Sequence, residues 1–391
     1  MIVAGGPIEL IATLRVPPLE SLSMKRTAFL LLALCSCLLG SGQNLDQALP
    51  AMPAPITNLQ GAWDDPANAK RAEQWRAVKE AAPENATIQW NWFRSEYDAL
   101  NSSNNANLSP ADLGQLERMA VGIATVAPNS FEQHLARFYL EFPAAAAFAE
   151  LEAARGLAPA RTELISPLLS KAIRDGDAGA TAQWANALEQ RGGLAPALLT
   201  VAHDVLSCLP DDAVIFANGD MDVQPLVVAQ VVNKVKPKVL VVDRRLLADA
   251  NYRARIWLQA GASGSVPPEG PAFAQSLLRS TRRPVFFALS LDPAWLGSFP
   301  GQLHAIGAAF RVGPASPGYA AELERHWKTM RKPADAGPLS RNYLLPGAVL
   351  LGQLRQAGRT READSVQAEI ERLARATGTL SDLRKLGVLK P

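Results

Sequence analysis

Four aspartates stand where short apolar runs end. In DDAVIFANGDMDVQPLVVAQ (211–230) the run AVIFAN leads into Asn218, Gly219 and Asp220, with Asp222 one residue further on. Asp243 closes KVLVVD (238–243), and Asp292 follows RPVFFALSL (283–291). Ligands of open parallel sheets bind beyond the carboxyl ends of the strands. If these three runs are parallel strands, all four carboxylates emerge from one edge. Hard oxygen ligands of this kind suit Mg²⁺ or Mn²⁺, bridging to a phosphate or a nucleotide sugar. Asn218, Gly219, Asp220, Asp222, Asp243 and Asp292 are therefore the candidate ligand-binding residues, and none is given a catalytic role. Each also has a local structural use. Gly219 suits a positive φ, Asp222 a cap for a helix starting near Val223, and Asp292 a cap with Pro293 at the first helical position. Asp243 is followed by Arg244 and Arg245, which can simply pair with it.

Other chemistry has less to stand on. His134, His203, His304 and His326 are far apart, with no metal-ligand spacing between them. No G-x-S-x-G, P-loop or dinucleotide glycine pattern occurs. GASGSVPPEG (261–270) has a proline pair and no following Lys-Ser/Thr, so it reads as a loop. Cys208 stands alone in the mature part and reads as a buried small hydrophobe. Trp90, Trp92 and Phe93 in QWNWFRSEYDAL read as anchors of the first helical hairpin.

The elements that must position these residues follow from composition and pattern. At 391 residues the chain has length for two or three domains. A net charge of +2 supplies no basic excess for a phosphate backbone, which argues against nucleic acid as a partner. Abundant helix formers beside only 6% aromatics favour a mainly helical protein. MKRTAFLLLALCSCLLGSGQ, from Met24, has the basic start, apolar middle and small-residue end of a signal peptide, with residues 1–23 preceding the true start. Its apolar run falls short of the roughly 18 residues that a membrane span needs. The chain is thus expected to be exported, to the periplasm or outer envelope. Leu34-Cys35-Ser36-Cys37 loosely matches a lipobox, so any membrane contact would pass through a lipid anchor at Cys37.

The segments then divide into a mis-started N-terminus plus signal (1–42), a Pro-rich linker (43–62), a helical domain (63–208), an α/β domain (209–315) and C-terminal helical hairpins (316–391). Ser109 and Pro110 mark a helix start, and NSSNNAN (101–107) reads as a polar loop. Ala147, Leu151, Ala154 and Pro159, then Gly176 in an RDGD turn, resemble a degenerate tetratricopeptide repeat; Leu350, Gly358 and Ala363 leave a similar trace. From 213 onward, AVIFAN, KVLVVD, RPVFFALSL and HAIGAAFRVG (304–313) read as four strands. Their near-continuous apolar character predicts a small, mostly parallel, Rossmann-like sheet with right-handed crossovers. The fold class is mainly α with this α/β insert among the hairpins.

LPDDAVIFANGDMDVQPLVVAQ, KPKVLVVDRRLL, RPVFFALSLDPAW and GQLHAIGAAFRVGP together resemble the soluble C-terminal region of a bacterial family of multi-spanning proteins similar to protein O-mannosyltransferases. The resemblance covers about residues 205–315 and is carried by Pro210, Asn218, Gly219, Asp220, Asp222, Pro225, Leu226, Gln230, Arg283, Pro284, Gly307, Arg311 and Pro314. It implies the fold of that region and a strand-end site, but not transferase activity, because no membrane domain accompanies it. Met221 stands where the family pattern has Asn, and Val227-Val228 replace an aromatic pair. The reading is an exported, non-catalytic protein whose hairpins present a surface to a protein partner. The alternative is a sugar- or nucleotide-binding accessory of a glycosyl-transfer system, using the Asp220/Asp222 edge.

Overall fold

The computed structural model describes residues 51–55, 65–103, 108–191 and 193–389. The signal segment with Cys35 and Cys37, and most of the 43–62 linker, lie outside the described residues. The chain is mostly helical, with one small mixed sheet of five strands.

The N-terminal half is built of antiparallel helices. α1 (Asp65–Ala81) pairs with α2 (Ala86–Ser103), and α3 (Pro110–Val126) lies on α2. α4 (Phe131–Glu141) pairs with α5 (Ala145–Leu157), α6 (Ile165–Asp175) with α7 (Ala178–Gln190), and α8 (Pro196–Ser207) leads to the sheet. Local signals set the starts. Ser109 and Asp112 form a reciprocal capping box on α3 with Pro110 in its first turn, and Ser130 and Asp177 cap α4 and α7. α2 continues to Ser103, so the expected polar loop begins inside a helix. The reason is local: Asn101 Nδ2 donates to the Tyr97 carbonyl and Ser102 Oγ to that of Ala99, within the last turn. Ala147, Leu151 and Ala154 are buried on α5, which packs against α4.

The sheet contains β1 (Val214–Ala217), β2 (Leu240–Asp243), β3 (Val285–Ala288), β4 (Leu303–Ile306) and β5 (Ala309–Val312), in the order β2-β1-β3-β5-β4. β1 runs parallel to both neighbours, with Ala217 opposite Asp243 and Phe216 opposite Phe287. β5 is antiparallel to β3 and to β4, so the sheet is mixed and not mostly parallel. HAIGAAFRVG, expected to be one strand, folds into the β4–β5 hairpin. Gly307, at φ 61°, takes the first position of its two-residue turn, the geometry that favours glycine. A Cβ there would also lie 2.3 Å from Cys208 Sγ.

Helices cover both faces. After β1 the chain enters α9 (Asp220–Val231); after β2 it passes through α10 (Ala250–Gln259) and α11 (Pro271–Ser280), and after β3 through α12 (Pro293–Gly297). Ile215, Ala217, Phe286 and Ala288 face a core shared with α8, α9 and the C-terminal helices α13 (Tyr319–Thr329), α14 (Leu344–Gln356) and α15 (Thr360–Ala376). Val214, Phe216, Val285 and Phe287 face a second core with α10 to α12 and the helices α2 to α5. The exits from β1 and β3 therefore lead to opposite faces, which makes the gap between their carboxyl ends a topological switch point. α16 (Leu380–Lys385) closes the chain on the first core through Leu383.

Candidate functional site

The carboxyl edge of the parallel strands does gather the expected residues. Gly219, at φ 85°, turns the chain from β1 into α9, which begins at Asp220, three residues earlier than expected. Asp222 is thus a first-turn residue, and its carboxylate reaches back to accept the Asn218 backbone N–H at 3.1 Å. It also accepts from the Ser290 hydroxyl, just beyond β3. Asn218 joins the same two strands, with Nδ2 donating to the Ser290 carbonyl at 3.0 Å. Asp292 caps α12 through the Trp295 N–H, with Pro293 in the first turn.

Guanidinium groups take most of the charge. Arg245 Nη2 lies 2.6 Å from Asp220 and 2.7 Å from Asp243, whose side chain is only 2% exposed. Burial by itself would lower the Arg245 pKa, but these two carboxylates hold it well above the ordinary value. Arg244 lies 3.0 Å from Asp292, and its Nε donates to Asn218 Oδ1 at 2.7 Å. Arg244 and Arg245 thus divide the work expected of both at Asp243. Among the described residues, no three His, Cys, Asp or Glu side chains converge to hold a metal ion. In this arrangement a Mg²⁺ or Mn²⁺ would have to displace two arginines to collect the four carboxylates.

Asp222 is the exception, since among the described residues no guanidinium bonds to it. Burial raises its pKa to about 6, and the bonds from Ser290 and Asn218 pull the other way without cancelling that effect. The carboxyl borders a narrow cleft lined by Met221, Pro225, Leu226, Ala288, Leu289 and Asn342, of about 10 Å³. That is room for about one water.

The helical layer roofs the same edge. The Arg94 guanidinium carbon sits 4.2 Å from the centre of the Tyr139 ring, and its Nη2 lies 3.2 Å from Asp98. Arg245 stacks over Phe142 at 4.7 Å. Burial raises the Tyr97, Tyr139 and Asp98 pKa values, and the field of Asp220 adds to each. Sequence reasoning missed Ser290, Arg94, Tyr97 and Tyr139. Only Ser290 left a signal, as a hydroxyl just after a strand.

A second concavity lies away from the sheet. Between α1, α2 and α3 lies an open groove of about 490 Å³, whose apolar lining includes Trp92, Met119, Pro83 and Val126. Gly122 lies in its lining, where a Cβ would crowd the buried Gln89 side chain, 3.2 Å from Oε1. Lys79 Nζ stands 5.0 Å above the Trp92 ring, and Arg118 stands on the rim. Neither forms an ion pair with a described residue. Trp90 and Phe93 are buried anchors as expected, whereas Trp92 is only partly so.

Of the remaining candidates, His203 bonds Asn233 and the His304 ring packs edge-on against Tyr319. Cys208 is buried, and burial pushes its thiol up to about 11, so it stays protonated. His134 Nδ1 pairs with Glu150 at 2.6 Å, and burial lowers the pKa of His326. Among the described residues no helix is long and apolar enough to cross a membrane. No protein-family model, curated protein or solved structure matches the chain.

Proposed function

We propose that the chain is an exported, non-catalytic scaffold whose helical hairpins, packed in the manner of tetratricopeptide repeats around the sheet, hold a protein partner. The observation that carries this reading is the groove between α1, α2 and α3, which is open and apolar-floored while the sheet edge is filled by its own arginines. Its volume lies within the roughly 300–1,000 Å³ of binding pockets. Export rests on the signal segment, and anchoring on Cys37. Photo-crosslinking residues placed at Gln115 and Thr125, in the groove, and at Glu371 and Arg384, outside it, test the reading in cells. One discrete adduct from the groove positions alone is expected; equal labelling from all four positions, or none, overturns it.

A second reading keeps one specific support. Asp222, at the switch point, has no arginine partner among the described residues, which suits a sugar- or nucleotide-binding accessory module. Thermal melting of the chain with nucleotide sugars, against Asp222→Asn, tests it. A ligand at about 100 times its Kd adds roughly 2.7 kcal/mol. A shift seen in both proteins, or in neither, removes this reading.

A further inference from the structure

We infer that the α1–α3 groove takes an acidic segment of the partner, with one apolar side chain seated on Trp92 and Met119 and a neighbouring carboxylate on Lys79 and Arg118. This rests on the scaffold reading and names the chemistry of the bound segment.

Three features point to that occupant. The first is room: the groove of about 490 Å³ lies open beside Trp92 and Met119, and Gly122 adds no side chain of its own to the lining, where Gln89 Oε1 already stands 3.2 Å from its Cβ position. The second is charge. Lys79 and Arg118 are two rim cations without a carboxylate among the described residues, against one rim acid, Glu84. Most arginines at the sheet edge, by contrast, are already neutralised. The third is their placement relative to the floor. Lys79 lies over the Trp92 ring, so a carboxylate adjacent to a buried apolar anchor meets a cation whose face is already fixed by the aromatic ring. Two cations with an acid beside them are too few for a nucleic-acid backbone, which needs many phosphate contacts for affinity. They suit a short acidic peptide, whose register they fix by electrostatic complementarity.

The test uses the full chain and fluorescently labelled pentapeptides read by polarisation. The probe is acetyl-Glu-Asp-Phe-Leu-Glu-amide, compared with acetyl-Lys-Lys-Phe-Leu-Lys-amide and with acetyl-Glu-Asp-Ala-Ala-Glu-amide. The acidic apolar peptide is expected to bind at least about tenfold tighter than either control, about 1.4 kcal/mol. In the Lys79→Glu, Arg118→Glu double variant the preference should reverse toward the basic peptide, a gain that misfolding cannot produce. Gly122→Leu, with its melting temperature checked, should abolish binding of both. Equal binding of acidic and basic peptides, or no reversal, overturns the inference. So does a concentration-dependent dimer, or capture by anionic phospholipid vesicles, that Gly122→Leu removes, because the groove would then belong to a second copy or a lipid surface. If peptide binding fails while crosslinked partner adducts persist at Gln115 and Thr125, the scaffold reading stands and only the acidic-segment chemistry falls.

Discussion

The sheet edge and the α1–α3 groove are opposites in how they treat charge. At the edge, Asp220, Asp243 and Asp292 are each bound by Arg244 or Arg245, and Arg94 reaches over with Asp98, Tyr97 and Tyr139. These contacts join the helical layer to the strand ends, so the charges work as a junction between layers. In the groove, Lys79 and Arg118 have no ion-pair partner among the described residues and stand beside an apolar floor. A dense set of carboxylates is therefore no sign of an open site when arginines arrive from elsewhere in the fold. Two rim cations without a carboxylate partner among the described residues, beside an open apolar groove, are a better sign of one.

The comparison breaks most visibly at Arg245. Replacing it with alanine leaves Asp243 buried beside Asp220 with no counter-charge, and removal of one partner from a buried ion pair costs about 3–5 kcal/mol. Arg245→Ala should lose about that much in urea unfolding. Arg245→Lys should recover only part, because one ammonium cannot reproduce the fork that reaches both carboxylates. A loss under about 1 kcal/mol would mean that the junction contributes little and that the edge is freer to bind a ligand than its pairing suggests.

Asp222 gives the next largest effect, with the opposite sign. Its folded carboxyl titrates at about 6, above the ordinary value of 3.8, so the folded chain holds this proton more tightly than the unfolded chain does. The stability from this group is complete below about pH 4, falls as pH rises through the window from about 4 to 6, and is absent above it. Two units correspond to about 3 kcal/mol. Asp222→Asn, which keeps an acceptor for Ser290 and Asn218, should therefore stabilise the chain at pH 7.5 by up to about 3 kcal/mol. Near pH 3.5 the gain should vanish. Denaturant unfolding at the two pH values measures both. A variant destabilised at pH 7.5 would show that the ionised carboxylate is stabilised by its surroundings and belongs with its paired neighbours.

The sequence made part of this legible. Helix starts at Ser109 and Asp292 were readable because caps act within one turn. The gathering of Asp220, Asp222, Asp243 and Asp292 at one edge was readable because each ends an apolar run, and parallel strands align such ends. Their partners were less so. Arg94, Tyr97 and Tyr139 reach the edge from helices more than seventy residues upstream, and only tertiary packing selects them. The β4–β5 hairpin was hidden in an unbroken apolar run whose one signal, Gly307, also fits a strand that approaches another chain segment closely. The groove left no motif at all, since its lining is assembled from three helices and the turn between the first two.

The smallest predicted effect sharpens the contrast. If the groove cations serve a partner and not the fold, reversing both should barely move stability. Lys79 contributes a cation–π contact with Trp92, about 0.5–1 kcal/mol at an exposed site, and Arg118 is exposed with no ion-pair partner among the described residues. The Lys79→Glu, Arg118→Glu variant should therefore unfold within about 1 kcal/mol of the parent, several-fold less than the loss from Arg245→Ala. Measured side by side in urea, the two values separate charges used to hold layers together from charges left for binding. A loss as large as that of Arg245→Ala would place Lys79 and Arg118 among the fold's own supports and take the groove out of consideration as a binding surface.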